Sequence, residues 1–185
     1  SIVGVASHLP SAAGLVLEKE ILVIGGALQS PERPLAAILG GAKVSDKIKI
    51  LDNLLDRVDA LYIGGGMAAT FFKAQGRNVG DSLVEDGLVG FASEQMQRAD
   101  QSGVDLYLPV DAVVASEFGE CPSEVRTVRL GEVPQGFSIL DIGPDTVKLF
   151  QEGLQTAKTV IWNGPMGVFE FDRFAAGTRS VATVM

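Results

Sequence analysis

The sequence predicts an α/β protein built on a doubly wound, mostly parallel sheet with helices on both faces. Three observations carry that prediction. Short apolar runs, which read as strands buried on both faces, alternate along the chain with segments of helical periodicity. Several of these runs end directly in glycine clusters, as strands do where they turn into a following helix. The chain of 185 residues, 46% hydrophobic and 21% charged, has the size and composition of one domain with a substantial core.

Taken in order, Leu17, Ile21, Ile24 and Leu28 recur at helical spacing, and Ser30-Pro31 with Pro34 closes that helix. Leu35 to Leu39 is a continuous apolar run ended by Gly40-Gly41. Ile48, Leu51, Leu54, Leu55 and Val58 then give the spacing of an amphipathic helix. Ala60 to Ile63 is a second strand, ended by Gly64-Gly65-Gly66 and followed by a helical stretch that stops at Gly76. A polar loop with Gly80 and Asp81 leads to a helix carrying Phe91, Met96 and Ala99, stopped at Gly103. Val104 to Leu108 is strand-like before Pro109, and Cys121 to Gly136 is rich in turn residues and weakly patterned. Val147, Phe150, Leu154 and Ala157 mark another helix, Thr159 to Trp162 another buried strand, and Phe174 onward a last helix. There is no internal repeat and no low-complexity linker.

Charge narrows the function classes. Fifteen Lys and Arg against 23 Asp and Glu leave a net charge of −8, so the long-range field repels polyanions and argues against nucleic-acid or acidic-membrane partners. Any anionic ligand has to be held by a few local cations and by backbone dipoles. A single cysteine, Cys121, and a single histidine, His8, exclude an internal disulfide framework and the usual zinc clusters. No resident metal site is expected, and the cysteine usage fits a reducing, cytoplasmic setting. Glu18, Lys19, Glu20, Gly25 and Gly26 interrupt the stretch from Leu15 to Leu28, which therefore cannot cross a bilayer. The chain opens at Ser1 and closes at Met185 inside a helix-like pattern, so both ends are expected to be cut.

In open parallel sheets, ligands bind beyond the carboxyl ends of the strands. Three predicted strands end there in glycine turns, around Gly40-Gly41, Gly64-Gly65-Gly66 and Asn163-Gly164-Pro165-Met166-Gly167. One such turn needs only positive φ, but three on one rim point to backbone that approaches a ligand closely. Lys43 and Lys47 are four apart and are expected to share one face at the start of the helix that follows the first turn. Cations there oppose the helix dipole unless a phosphate sits between them. The other reading is that Lys47 and Lys49 solvate the outer face while Asp46 complements the dipole. Lys43, on the glycine turn itself, is the stronger single candidate. Gly64-Gly65-Gly66-Met67-Ala68-Ala69 also satisfies a dinucleotide fingerprint, with Glu85 about 20 residues on as the ribose acid. That supports an alternative, an NAD-binding oxidoreductase domain. Glu170 reads either as a ribose ligand or as a loop carboxylate in water. Asp111 either caps a turn or orients a lysine, and Trp162 is expected in the core.

Together, in this order, ILGGAKVSDKI, IGGGMA, LPVD, LDIGP, WNGPMGVFE and FAAGT, with SPERP before the first strand, resemble the phosphoglycerate kinase family. The resemblance covers essentially the whole chain and points to the family's C-terminal, Rossmann-like nucleotide-binding domain. It implies a hinge or interdomain helix region over residues 1–30 and a partial nucleotide-binding domain over 31–185. The implied activity is reversible phosphoryl transfer between 1,3-bisphosphoglycerate with ADP and 3-phosphoglycerate with ATP, in glycolysis. Under it, Lys43 is the catalytic lysine that meets the transferred phosphoryl group, and Lys47 contacts the nucleotide phosphates. Gly41, Gly65 and Gly66 resemble the backbone wall against adenine and ribose, with Leu83 and Leu140 on the apolar side. Asn163 resembles a phosphate-contacting amide, Pro165 and Val168 flank the ribose or base, and Glu170 binds the ribose hydroxyls.

The resemblance also implies what this chain lacks. ATP or ADP would arrive with Mg, but the second glycine-rich segment that carries the family's metal-binding acid is not in the sequence. The 3-phosphoglycerate site is expected on a missing N-terminal domain, and the intact enzyme is expected to be a monomer. Two strands beyond WNGP would be absent, leaving the sheet incomplete on its C-terminal side with an unpaired edge. Ile139 stands where the family has glycine and is expected to reshape the base pocket. The chain alone is expected to bind nucleotide at most.

Overall fold

The structure, a computed structural model, describes residues 2–6 and 8–185. Ser1 and Ser7, part of the predicted 1–30 region, lie outside the described residues. Contacts divide the chain into two units, one up to Glu32 and one from Arg33 to Met185. The first holds α1 (Ile2–Ala6) and α2 (Leu15–Gln29). The predicted stop of α2 is present, with the Ser30 N–H donating to the Gly26 carbonyl. Apolar residues are distributed around α2, and Leu15, Val16, Leu22 and Val23 are exposed.

In the second unit, β1 (Leu35–Leu39), β2 (Ala60–Ile63), β3 (Asp105–Tyr107) and β7 (Thr159–Asn163) form a parallel sheet in the order β3-β2-β1-β7. The helices α3 (Ile48–Leu55), α4 (Ala68–Ala74) and α5 (Val89–Ser102) lie in the crossovers between β1, β2 and β3. All of β1 is buried, as a central strand covered on both faces must be. Ala36, Ile38 and Tyr62 pack with Phe150 and Leu154 of α6 (Pro144–Leu154) and Val181 of α7 (Ala176–Ala182). Strand alternation turns Leu35, Ala37 and Leu39 to the other face, where right-handed crossovers carry α3, α4 and α5. Phe150 is fully buried and stands edge-on to Tyr62 at 5.2 Å; deleting such a ring costs about 3–5 kcal/mol. Arg98 of α5 binds Asp52 of α3 and Asp56 at its C-terminal cap, fixing one helix on the other.

The sheet is parallel as expected, and a second sheet adds to it. β4 (Asp111–Ala115), β5 (Val125–Arg129) and β6 (Ser138–Ile142) are antiparallel, in the order β5-β4-β6. β5 falls in the stretch expected to be weakly patterned. It is an edge strand whose arginines and Thr127 face solvent while Val125 and Val128 are half-buried, so its sequence carries no apolar run. Between Val113 and Val114 the β4–β6 register slips, leaving Leu140 of β6 without a partner on β4. This is a bulge, which redirects the strand and frees a backbone group. The last helix starts at Ala176 rather than Phe174, because Asp172–Phe174 forms a 3-10 turn with Phe174 buried. β7 pairs only with β1 among the described residues, so its outer edge is open.

Candidate functional site

The three glycine turns meet at the carboxyl ends of β1, β2 and β7, and they meet through backbone. The Gly40 N–H donates to the Asn163 carbonyl (2.9 Å), the Gly41 N–H to Pro165 (3.0 Å) and the Gly65 N–H to Met166 (2.9 Å). A Cβ on Gly40 would fall 2.0 Å from the Pro165 carbonyl oxygen, and one on Gly65 2.6 Å from the Gly41 backbone. Gly41 and Gly65 also hold φ of 114° and 68°, values other residues rarely adopt. Gly40 and Gly64 therefore let the turns close on one another, whereas Gly41, Gly65 and Gly66 present main chain to a cavity of about 670 Å³.

Pro165 and Val168 line this cavity beside the glycine wall, Leu83 and Leu140 add apolar surface, and Glu170 stands at it as a carboxylate. Of the sequence-predicted site residues, Lys43, Lys47 and Asn163 stand outside the lining. Lys47 Nζ donates to Asn163 Oδ1, joining the end of β7 to the entrance of α3. A Cβ on Gly41 would lie 3.7 Å from Lys47 Cε, so this pair adjoins the glycine wall. The expectation that Lys43 and Lys47 share the first turn of a helix is corrected: α3 begins at Ile48, with Lys47 as its N-cap residue. A turn closed by the Lys47 N–H on the Val44 carbonyl (2.8 Å) delays the helix, and Lys43 stays exposed in the loop.

Glu85 is not at the cavity. Its carboxylate accepts the Ser45 N–H (3.0 Å), and its own N–H donates to Thr70 Oγ1 (3.2 Å). Burial works to raise its pKa, but hydrogen bonds from Ser45 and Val44 and the charge of Lys43 together hold it below the usual carboxylate range. It braces the lysine loop. The dinucleotide alternative thereby loses its ribose acid, and Gly64 of that fingerprint is explained by Met166, whose sulfur would lie 2.4 Å from a Cβ there.

Sequence reasoning misses Phe118 and Phe171, which meet edge-to-face at 5.5 Å on the cavity rim. Phe118 sits in the β4–β5 connection and is 71% exposed; a lone large aromatic among the acidic turn residues of SEFGE is the available signal. Asp81 and Ser138 also reach the lining, with Ser138 Oγ donating to the Asp81 carbonyl (2.9 Å). Ile139 also lines the cavity. The bulge explains how three successive residues of β6 reach one cavity, and the freed Leu140 carbonyl accepts the Val168 N–H (2.8 Å), drawing the β7 loop onto β6. Trp162 is half-buried, its indole N–H donating to the Gly164 carbonyl (2.5 Å). His8 and Cys121 are exposed. No helix among the described residues is long and apolar enough to cross a membrane.

The chain matches known proteins over the same stretch that builds this rim. It is 52% identical over 182 residues to a phosphoglycerate kinase of Chloroflexus aggregans, covering 98% of this chain and 45% of that protein. A phosphoglycerate kinase of Moorella thermoacetica is 56% identical over 180 residues, 97% of this chain and 45% of the relative. Among solved structures, phosphoglycerate kinase from Coxiella burnetii superposes with a TM-score of 0.88 at 42% identity, covering 93% of this chain and 44% of that one. The Pyrococcus horikoshii OT3 enzyme gives 0.75 at 32% identity, covering 92% and 44%. The chain thus spans somewhat less than half the length of these relatives. The family model described as phosphoglycerate kinase matches residues 1–185 without a break, and the chain belongs to the phosphoglycerate kinase family.

Proposed function

We propose that this chain is the nucleotide-binding part of a phosphoglycerate kinase, holding ADP or ATP while phosphoryl transfer to or from a 3-phosphoglycerate-bearing domain takes place. The observation that carries the reading is one cavity with a main-chain wall, an apolar wall, a carboxylate and an adjoining lysine–amide pair. Adenine fits between Gly65 and Gly66 on one side and Leu83, Leu140 and Val168 on the other. Glu170 accepts the ribose hydroxyls, and the phosphates run past Gly41 and Pro165 toward Lys47 and Asn163. Lys43, in its exposed loop, meets the transferred group. The chemistry asked of the protein is positioning and charge neutralisation rather than covalent catalysis, and a chain of net charge −8 needs these few cations placed locally.

Mg arrives with the nucleotide phosphates, and the acid expected to bind it is not in this chain. Residues 1–30 serve as the hinge region and 31–185 as the nucleotide domain, in a cytoplasmic, glycolytic enzyme that is monomeric when intact. Equilibrium binding to the 185-residue chain tests the reading. MgADP should saturate it, NAD should not compete, and Glu170→Ala should weaken ADP without weakening inorganic diphosphate. Saturation by NAD and not by ADP would overturn it.

A further inference from the structure

Asp141 is 1% exposed and lies one residue beyond the bulge of β6. Its Oδ1 accepts the N–H of Ile142 (2.9 Å) and its Oδ2 the N–H of Gly177 in α7 (2.8 Å). Two glycines close on the same carboxylate: a Cβ would lie 2.2 Å from Oδ1 on Gly167 and 2.4 Å from it on Gly177. Asp141 thus fills the angle between β6, the loop after β7 and α7. Gly167 lines the cavity, as do its neighbour Val168 and Glu170.

Among the described residues no cation compensates this charge. On β4, Asp111 is engaged by Thr146. On α7, Arg179 pairs with Asp172 of the 3-10 turn at 2.6 Å, and Lys148 of α6 pairs with Asp145 at 3.8 Å. Arg173 and Glu170, the remaining charges on the segments around the loop, form no ion pair with Asp141 among the described residues. Burial accordingly raises the Asp141 carboxyl to about 6, against the pull of the Gly177 and Ile142 N–H groups. A buried carboxylate without a cation favours any movement that readmits water. The cover on that side is the β7 loop. The Gly41 and Gly65 N–H groups hold its Pro165 and Met166 carbonyls, and the Met166 N–H donates to Thr178 Oγ1. The part free to move therefore lies beyond Met166, where the Val168 N–H on Leu140 ties it to β6.

We propose that Asp141 is a positioning residue for the nucleotide loop: neutral, it lets Gly167 seat against β6, and ionised, it biases the loop to lift, carrying Val168 and Glu170 off the cavity wall. The inference rests on the nucleotide reading of the cavity and adds to it a proton-linked control of loop seating. Seating is coupled to proton uptake at Asp141, so ligand that requires the seated loop binds more tightly as pH falls.

The probe is adenosine, which has no phosphate to titrate and tests only the base and ribose end. Wild-type chain should bind it about fivefold more tightly near pH 5 than near pH 7.5, with a midpoint at about 6. Asp141→Asn should bind with no pH dependence, whatever its absolute affinity. Wild-type affinity that is flat, or that weakens as pH falls, overturns the proposal, as does an Asp141→Asn profile like wild type's. If adenosine does not bind at any pH while MgADP does, the phosphates supply the affinity and the nucleotide reading stands; if neither binds, that reading fails. Trp162 emission, tied to the loop through Gly164, then decides this proposal, supporting it if it titrates in wild type and not in the variant and overturning it otherwise. If the variant does not fold, the wild-type amide resonances of Gly167 and Gly177 should shift together with that midpoint, and independent or absent shifts overturn the proposal.

Discussion

Lys47 and Asn163 hold each other across the ends of two strands, and that geometry separates their contributions. A lysine that meets phosphate makes a charge-assisted contact, so Lys47→Ala should weaken ADP binding by about 1–3 kcal/mol. Because the amide and the ammonium share a hydrogen bond, the double variant with Asn163→Ala should lose less than the sum of the single changes. Calorimetric titration of the four proteins of that cycle checks both points, and unchanged affinity in Lys47→Ala would remove the assigned role. Phe118 makes the opposite kind of prediction. Its ring is 71% exposed and touches Phe171 at the cavity rim, so truncation removes little core. Phe118→Ala should leave the urea midpoint nearly unchanged yet weaken adenine nucleotides by about 1–3 kcal/mol, the range for a base stacked on an aromatic ring. Equal losses in stability and affinity would instead mean that the residue packs the connection between β4 and β5.

Helix α6 shows how one element depends on another. Its N-cap residue is Gly143, which has no side chain to bond the first turn. Asp111, from β4, supplies the missing acceptor, taking the N–H of Asp145 (3.0 Å), the N–H of Thr146 (2.8 Å) and the Thr146 hydroxyl (2.6 Å). Gly143 is needed for this, since a Cβ there would lie 2.2 Å from the Asp111 carboxyl group. Asp111→Ala leaves buried donors unpaired and should destabilise the fold by about 1–3 kcal/mol in urea unfolding, with Asp111→Asn recovering part of the loss. From the sequence, Asp111 could equally cap a turn or orient a lysine; the choice depends on an element 35 residues away, which no local pattern encodes. The same reason divides what is legible elsewhere. β1, β2 and β7 announce themselves because strands buried on both faces must be apolar throughout, and their glycine turns because positive φ demands glycine. The glycine, leucine and Glu170 positions of the cavity come from motif resemblance and do line one space. β5, the bulge at Leu140 and the rim phenylalanines stay hidden because each is defined by its partner strand or by an open surface. Spacing alone sets Lys43 and Lys47 on a helix face because it cannot see a turn that postpones the helix.

Across the molecule, acid should act on this fold in two opposed ways, and the sign of each follows from the direction in which a carboxyl is shifted. Glu85 is held below its usual value by Ser45, Val44 and Lys43 against the effect of burial, so its stabilising bonds are present near neutrality and are lost as pH falls through its folded value. Asp141 is raised from 3.8 to about 6 by burial. Between those values the folded chain binds the Asp141 proton more tightly than the unfolded chain does, so this residue's contribution to stability is greatest below the lower value and declines as pH rises through the upper one. The full difference is about 3 kcal/mol, since each tenfold change in proton affinity is worth about 1.4 kcal/mol. With 23 acidic residues against 15 basic, the raw stability profile mixes many such contributions, and only a difference between two chains isolates this one. Urea unfolding of wild type and Asp141→Asn in steps from about pH 4 to about pH 7.5 supplies it. The stability of the variant minus that of wild type should climb across the interval and level off above the upper value, because wild type alone develops a buried charge there. A difference that stays constant, or falls, would mean that water reaches the Asp141 carboxylate in the folded chain and that α7 and the β7 loop do not seal it.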